Sequence, residues 1–262
     1  MQKSIAQAYS LLSNAQTVLN GVLSWLKSES SVNGKINGDK LDEKQLACYE
    51  VAYCEAELTA ARVYLDYSQK LVADKPASDG LRLEERIALQ YSAEALQNAR
   101  TRYSARPADF GLTRELLVQV FYNADVEGFI DEYMSTHSMV ALAKTVLGQE
   151  GNVGDYMLDE EKEMMRTSFR NFATSVVMPL AEKIHTHDLI VPEAILKPLV
   201  ELGCFGLSIP MQYGGIQPDD KEDNLGMIVV TEELSRGSLA AAGSLITRPE
   251  IMSRALLKGG TE

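Results

Sequence analysis

The chain has 262 residues, enough for one large or two ordinary domains, and its 45% apolar and 24% charged content is that of a globular protein with a full core. A net charge of -12 excludes a general nucleic-acid binder, since neutralising phosphates takes a basic surface, and it obliges any anionic ligand to find a local cluster of Lys and Arg. Cys48, Cys54 and Cys204 form no CxxC pair and point to a reduced, cytoplasmic setting, and no segment carries the ~20 apolar residues of a membrane span.

The elements read almost entirely as helix. Leu11-Leu12 and Val22 to Leu26, interrupted by Ser, Asn and Gln, predict a first helix, and Ser28 to Asp42, with Gly34 and Gly38, a loop. Leu46, Tyr49, Tyr53, Ala56, Ala60, Val63, Tyr67 and Leu71 follow steps of three and four, which predicts a long helix buried along that stripe and ended by Pro76 and Ser78-Asp79-Gly80. A second stripe, Leu89, Ala93, Leu96, Ala99 and Tyr103, closes at Arg106-Pro107; its alanines suit the close approach of an antiparallel bundle. Three glycines between Gly148 and Gly154, without apolar periodicity, predict a boundary, giving a helical extension over 1–150 and a second domain over 151–262.

Beyond it, Asp159-Glu160-Glu161 places acid in the first turn of a helix that turns Met164, Met165, Phe169, Phe172, Val176 and Val177 toward a core. Pro179 interrupts that helix or starts the next. Pro192 opens another, which ends at a left-handed Gly203. Residues 204–222 read as loop, followed by helices over 225–236 and 238–257. No alternating strand stands out, so the expected class is all-α.

Several motifs fall on these elements in a fixed order: Phe169-Arg170-Asn171-Phe172-Ala173, Val177-Met178-Pro179-Leu180-Ala181, Val191-Pro192, Leu202 to Pro210, Tyr213-Gly214-Gly215 and Glu232-Glu233-Leu234. Over about residues 157–262 the chain resembles the N-terminal helical domain of the acyl-CoA dehydrogenase family. Ser238 to Glu250 and the long helical extension are most similar to the methylsuccinyl-CoA dehydrogenases within it. In the extension, Ala105 to Asp109 is the most distinctive run, and Glu57 to Arg62 resembles the family's C-terminal bundle helices, a hint of internal duplication.

The resemblance implies an FAD enzyme that desaturates an acyl-CoA between its α and β carbons, a carboxylate removing the α-proton while hydride passes to the flavin. It also implies that the base, the middle β-domain and most of the flavin site lie outside these residues, in a missing C-terminal half or a partner chain. The isolated chain is then expected to be inactive, to bind no FAD and to expose an apolar face, with homo-oligomer formation left open. A non-catalytic helical assembly or regulatory protein derived from such an enzyme is the alternative. The resemblance places Ala242, Gly243, Ile246 and Thr247 on one wall of the acyl pocket, with Arg248 as a cation for a distal carboxylate; the plainer reading of Ala240 to Gly243 is close helix packing.

Other candidates read as structural. Glu232 and Glu233 point about 100° apart on a helix, so one buried and one exposed carboxylate are expected rather than a catalytic pair. His185 and His187 lack a third ligand at metal spacing. Tyr213-Gly214-Gly215 lacks the context of a phosphate cradle and reads as a turn.

Overall fold

Apolar side chains at helical spacing, separated by proline, glycine and capping residues, divide the computed structural model into twelve α-helices and one short hairpin among the described residues, 2–77, 80–149 and 153–261. Ser78 and Asp79 of the predicted turn, and 150–152 of the predicted boundary, lie outside them. The chain forms two compact units, Met1–Tyr156 and Met157–Glu262.

In the first unit α1 (Gln2–Glu29) leads into a hairpin, β1 (Ser31–Val32) against β2 (Lys35–Ile36), antiparallel with Ser31 opposite Ile36. Asn33 and Gly34 turn it with φ of 52° and 77°, the pairing that two-residue hairpins favour. The predicted loop therefore holds a hairpin and a short helix, α2 (Gly38–Asp42). Then come α3 (Gln45–Asp74), α4 (Leu83–Ala105), α5 (Arg114–Phe121), α6 (Ala124–Met134) and α7 (Thr136–Gly148). Thr113, Asn123 and Ser135 cap the last three by accepting backbone N–H bonds.

The α4 stripe is buried as expected: Leu89, Ala93, Leu96, Ala99 and Tyr103 all lie in the core, where Tyr103 meets Phe110 edge-on at 5.1 Å. Of the α3 stripe only Leu71 is buried, with Tyr67 half-buried. The residues α3 buries are Ala47, Val51, Cys54, Leu58, Ala61, Leu65, Ser68 and Leu71, a line one residue further along and about 100° round the helix. Leu46, Tyr49, Tyr53 and Val63 face solvent, Tyr49 at 58% and Val63 at 60% exposure. Both stripes have the right period; the smaller residues of the buried line allow α1 and α4 to pack closely on both sides of α3.

The tail of this unit is pinned to α4. Buried Glu84 accepts bonds from Arg82 Nε (3.1 Å) and from the Asp155 backbone N–H (2.9 Å), and Lys75 pairs with Asp155 at 2.6 Å. Residues 154–156 thus belong with the first unit.

The second unit comprises α8 (Glu160–Phe172), α9 (Met178–Thr186), α10 (Glu193–Glu201), α11 (Asn224–Ser238) and α12 (Thr247–Gly259). Asp159 caps α8 by accepting from the Lys162 N–H at 2.8 Å. Between α8 and α9 the chain widens into a π-turn over Ala173–Val177. Pro179, in the first turn of α9, has no N–H to return to the preceding turn, which accounts for the widening. Gly203 ends the α10 segment with φ 72°.

Phe169, Phe172, Val177, Ile195, Leu199, Val230 and Leu234 form the second core. Met164, expected inside, is 60% exposed, because Phe169 and Phe172 set the buried face. The predicted helix over 238–257 is broken: residues 239–246 turn through a 3-10 segment at Gly243–Leu245 before α12 starts. Alanine favours helix, but burying Ala241, Ala242 and Ile246 in the core wins here.

Candidate functional site

The second unit is organised around α11, held at both ends against α8. Asp223 accepts from the Gly226 N–H at 3.0 Å and pairs with Lys162 Nζ at 2.9 Å, while Lys162 also meets Glu161 at 3.2 Å. Burial raises the Asp223 carboxyl pKa, but the bonds from Lys162 and Gly226 outweigh it and hold the group below the usual aspartate range.

Further along α11, Glu233 is 1% exposed and Glu232 faces solvent, as the helical angle requires. Arg170 Nε and Nη2 donate to Glu233 at 2.9 and 2.6 Å, and Arg166 Nε donates at 3.3 Å. Arg236 Nε lies 3.5 Å away. Burial alone would raise the Glu233 pKa; the arginines overcome it and keep the carboxylate charged. With α8 attached this firmly, α11 is a rigid support for residues 239–250.

Those residues hold the expected pocket wall. Ala242 and Ile246 lie in the core, and Gly243 is buried against α11. A Cβ on Gly243 would come within 3.1 Å of Ser235 Cα and closer still to Ser235 Oγ, so this glycine is needed for packing. Thr247 and Arg248 are exposed in the first turn of α12. Pro249 sits in that same turn, where a missing N–H costs nothing, so it produces no bend in the helix. Glu250 pairs with Arg254 at 3.0 Å rather than with Arg248. Among the described residues the Arg248 side chain makes no hydrogen bond or ion pair.

Alongside runs an open groove of about 690 Å³ between α11 and α12, lined by Asn224, Met227, Ile228, Thr231, Glu232, Glu250 and Arg254. Thr247 lies one turn before Glu250 but, like Ala242, Gly243, Ile246 and Arg248, is not among the residues that line the groove. The groove residues were not singled out from sequence, although 224, 227, 228 and 231 share a helical face. Arg254 is held by Glu222 (2.9 Å) and Asn224 (2.7 Å). The outer side of α12 exposes Ile251, Met252 and Leu256.

The remaining candidates are structural. His185 and His187 are exposed, and no group of metal-binding side chains occurs among the described residues. Tyr213-Gly214-Gly215 closes a turn bridged in parallel between Pro210 and Gln217, with Gly214 at φ 82°. The groove is lined by the carboxylates Glu232 and Glu250 and by Arg254, which pairs with Glu222 and Glu250, and no flavin step is assigned to this chain.

Residues 159–262 match the acyl-CoA dehydrogenase, N-terminal domain. The chain is 28% identical over 255 residues to (2S)-methylsuccinyl-CoA dehydrogenase of Cereibacter sphaeroides, a match covering 96% of this chain and 45% of that protein. It is 36% identical over 86 residues to glutaryl-CoA dehydrogenase of Desulfococcus multivorans, covering 33% and 22% respectively. Acryloyl-CoA reductase (NADH) of Anaerotignum propionicum is 29% identical over 108 residues, covering 41% and 26%. The chain thus spans less than half the length of these relatives. No described helix is long and apolar enough to cross a membrane.

Proposed function

We propose that the chain is the N-terminal part of an FAD-dependent acyl-CoA dehydrogenase acting on a short branched or dicarboxylic acyl-CoA such as methylsuccinyl-CoA. The carrying observation is the match of residues 159–262 to the family's N-terminal domain, on a unit whose α8 and α11 are joined by the Arg170–Glu233 bonds. The similarity to methylsuccinyl-CoA dehydrogenase runs through both units, which favours that substrate type over those of relatives matched only in the second.

In this reading the second unit contributes one wall of the acyl pocket. Ala242, Gly243 and Ile246 form its backing from inside the core, and Thr247 and Arg248 form its surface. Arg248 is an unpaired guanidinium cation, suited to a carboxylate at the far end of the acyl group. The base and the flavin site are supplied by residues other than these 262.

The test is to produce the chain together with the polypeptide that completes a family enzyme, then measure bound flavin and acyl-CoA oxidation. Methylsuccinyl-CoA turnover well above butyryl-CoA turnover is expected. A complete, flavin-loaded protein that oxidises no acyl-CoA would overturn the reading in favour of a non-catalytic helical partner.

A further inference from the structure

The backbone that joins the two units is anchored on both sides of a very short connection. On the near side the Asp155 N–H donates to Glu84 Oε1 at 2.9 Å, and Lys75, just past the end of α3, pairs with the Asp155 carboxylate at 2.6 Å. Glu84 is 2% exposed. Arg82 donates to it from Nε at 3.1 Å and Nη2 at 3.3 Å, while Nη1 of the same side chain holds the Lys75 carbonyl at 2.8 Å. Burial alone would raise the Glu84 pKa; the bonds from Arg82 and Asp155 outweigh it and keep the carboxylate charged. On the far side Asp159 caps α8 by accepting from the Lys162 N–H at 2.8 Å, and Lys162 Nζ is tied to Asp223 at 2.9 Å.

Two backbone angles between these anchors show that the path is imposed on the chain. Gly154 has φ 131°, and a Cβ there would stand 2.6 Å from Glu84 Oε1, so only glycine lets the chain reach the buried carboxylate. Met157 has φ 52°, a conformation that non-glycine residues seldom adopt and that persists where the structure on either side over-determines it. The anchors at Asp155 and Asp159 do so.

We propose that residues 154–158 are a latched strap, held at the front by Glu84 and at the rear by the α8 cap, and that the latch sets the reach of the connection between the two units. With the latch closed, the connection from Tyr156 to Asp159 consists of Met157 and Leu158, which extend over at most about 7 Å; with it open, residues 154–158 extend over about 17 Å. No side chain of residues 154–158 belongs to either core, and Lys75 is half-exposed, so the latch can open while both cores stay folded. The inference concerns the connection alone and does not rest on the enzymatic reading.

Hydrogen exchange and spin-label distances on the 262-residue chain test it. The Asp155 N–H should exchange about tenfold or more slowly than in an unstructured peptide. Gly154→Ala, which blocks docking from the strap side, and Glu84→Gln, which removes the charge that holds it, should each abolish that protection. Gly154→Ala should leave the thermal melt unchanged, which separates loss of the latch from any effect of Glu84→Gln on α4. Spin labels on Lys40→Cys and Lys197→Cys, exposed positions in the first and second units, in a Cys48→Ser background should give a distance distribution that broadens in both latch variants. Glu193→Gln, exposed on α10, should alter neither readout. An Asp155 N–H that exchanges freely in the unsubstituted chain, or a distance distribution that Gly154→Ala leaves unchanged, would overturn the proposal.

Discussion

Arg170 grips Glu233 with two parallel N–H bonds, 2.9 and 2.6 Å long, across the α8–α11 contact. The carboxylate is 1% exposed, and Arg166 and Arg236 approach it as well. A buried carboxylate held by several cations is a strong attachment only while it is charged, and removing one partner leaves the others uncompensated.

Glu233→Gln should therefore destabilise the second unit by about 1–3 kcal/mol, measured by urea unfolding. Its pH dependence is the sharper readout. Because folding lowers the Glu233 pKa, the stabilisation is complete above the ordinary glutamate value near ~4.3 and is lost as pH falls through the folded value. The unsubstituted chain should lose more stability on acidification than Glu233→Gln. Parallel losses in both would show that this carboxylate does not carry the effect.

Close packing at Gly243 gives a second expectation. A methyl group there meets Ser235, so Gly243→Ala should cost about 1–3 kcal/mol through overpacking. Ser235→Ala in the same chain should restore only part of the loss, because it removes the opposing Oγ but leaves Ser235 Cα and Cβ in place. A melt for Gly243→Ala that matches the unsubstituted chain would mean the turn over 239–246 opens easily.

How much of this was legible in sequence differs between the two helices that form the first core. On α4 the line Leu89, Ala93, Leu96, Ala99 and Tyr103 is buried, and Ala88 and Ala95 beside it only broaden the same face. On α3 two lines compete: one rich in Tyr, Leu and Val, the other in Ala, Val, Cys and Leu. Bulk hydrophobicity favours the first, and helix-to-helix distance, a tertiary quantity, selects the second. Asn33-Gly34 did signal a hairpin, but its two-residue strands are too short to show alternation. In the second unit Pro192, Gly203 and the Glu232-Glu233 pair were readable because each depends on local geometry. The break at 239–246 was not, because alanine and leucine favour the helix that the core interrupts.

That competition on α3 can be measured. Leu58→Ala, on the buried line, should cost about 2–5 kcal/mol in the unfolding of the first unit. Val63→Ala, on the exposed line, should change the stability of the monomer by no more than about 0.5 kcal/mol. Equal costs would place the two lines in comparable surroundings.

Arg248 offers the test most specific to substrate. It is exposed in the first turn of α12, and among the described residues its side chain has no ion pair to lose. Arg248→Met in the completed enzyme should therefore leave the melting temperature unchanged. If the guanidinium receives a distal carboxylate, the lost charge-assisted bond of about 1.5–3 kcal/mol corresponds to roughly a 10- to 100-fold fall in kcat/KM for methylsuccinyl-CoA. Butyryl-CoA has no second carboxylate, so its turnover should hold or rise as the pocket becomes more apolar. Arg248→Lys separates charge from shape: a lysine keeps the cation but not the planar fork, and should recover only part of the loss. Equal falls on both substrates would assign Arg248 to general structure and remove the dicarboxylate preference from the reading.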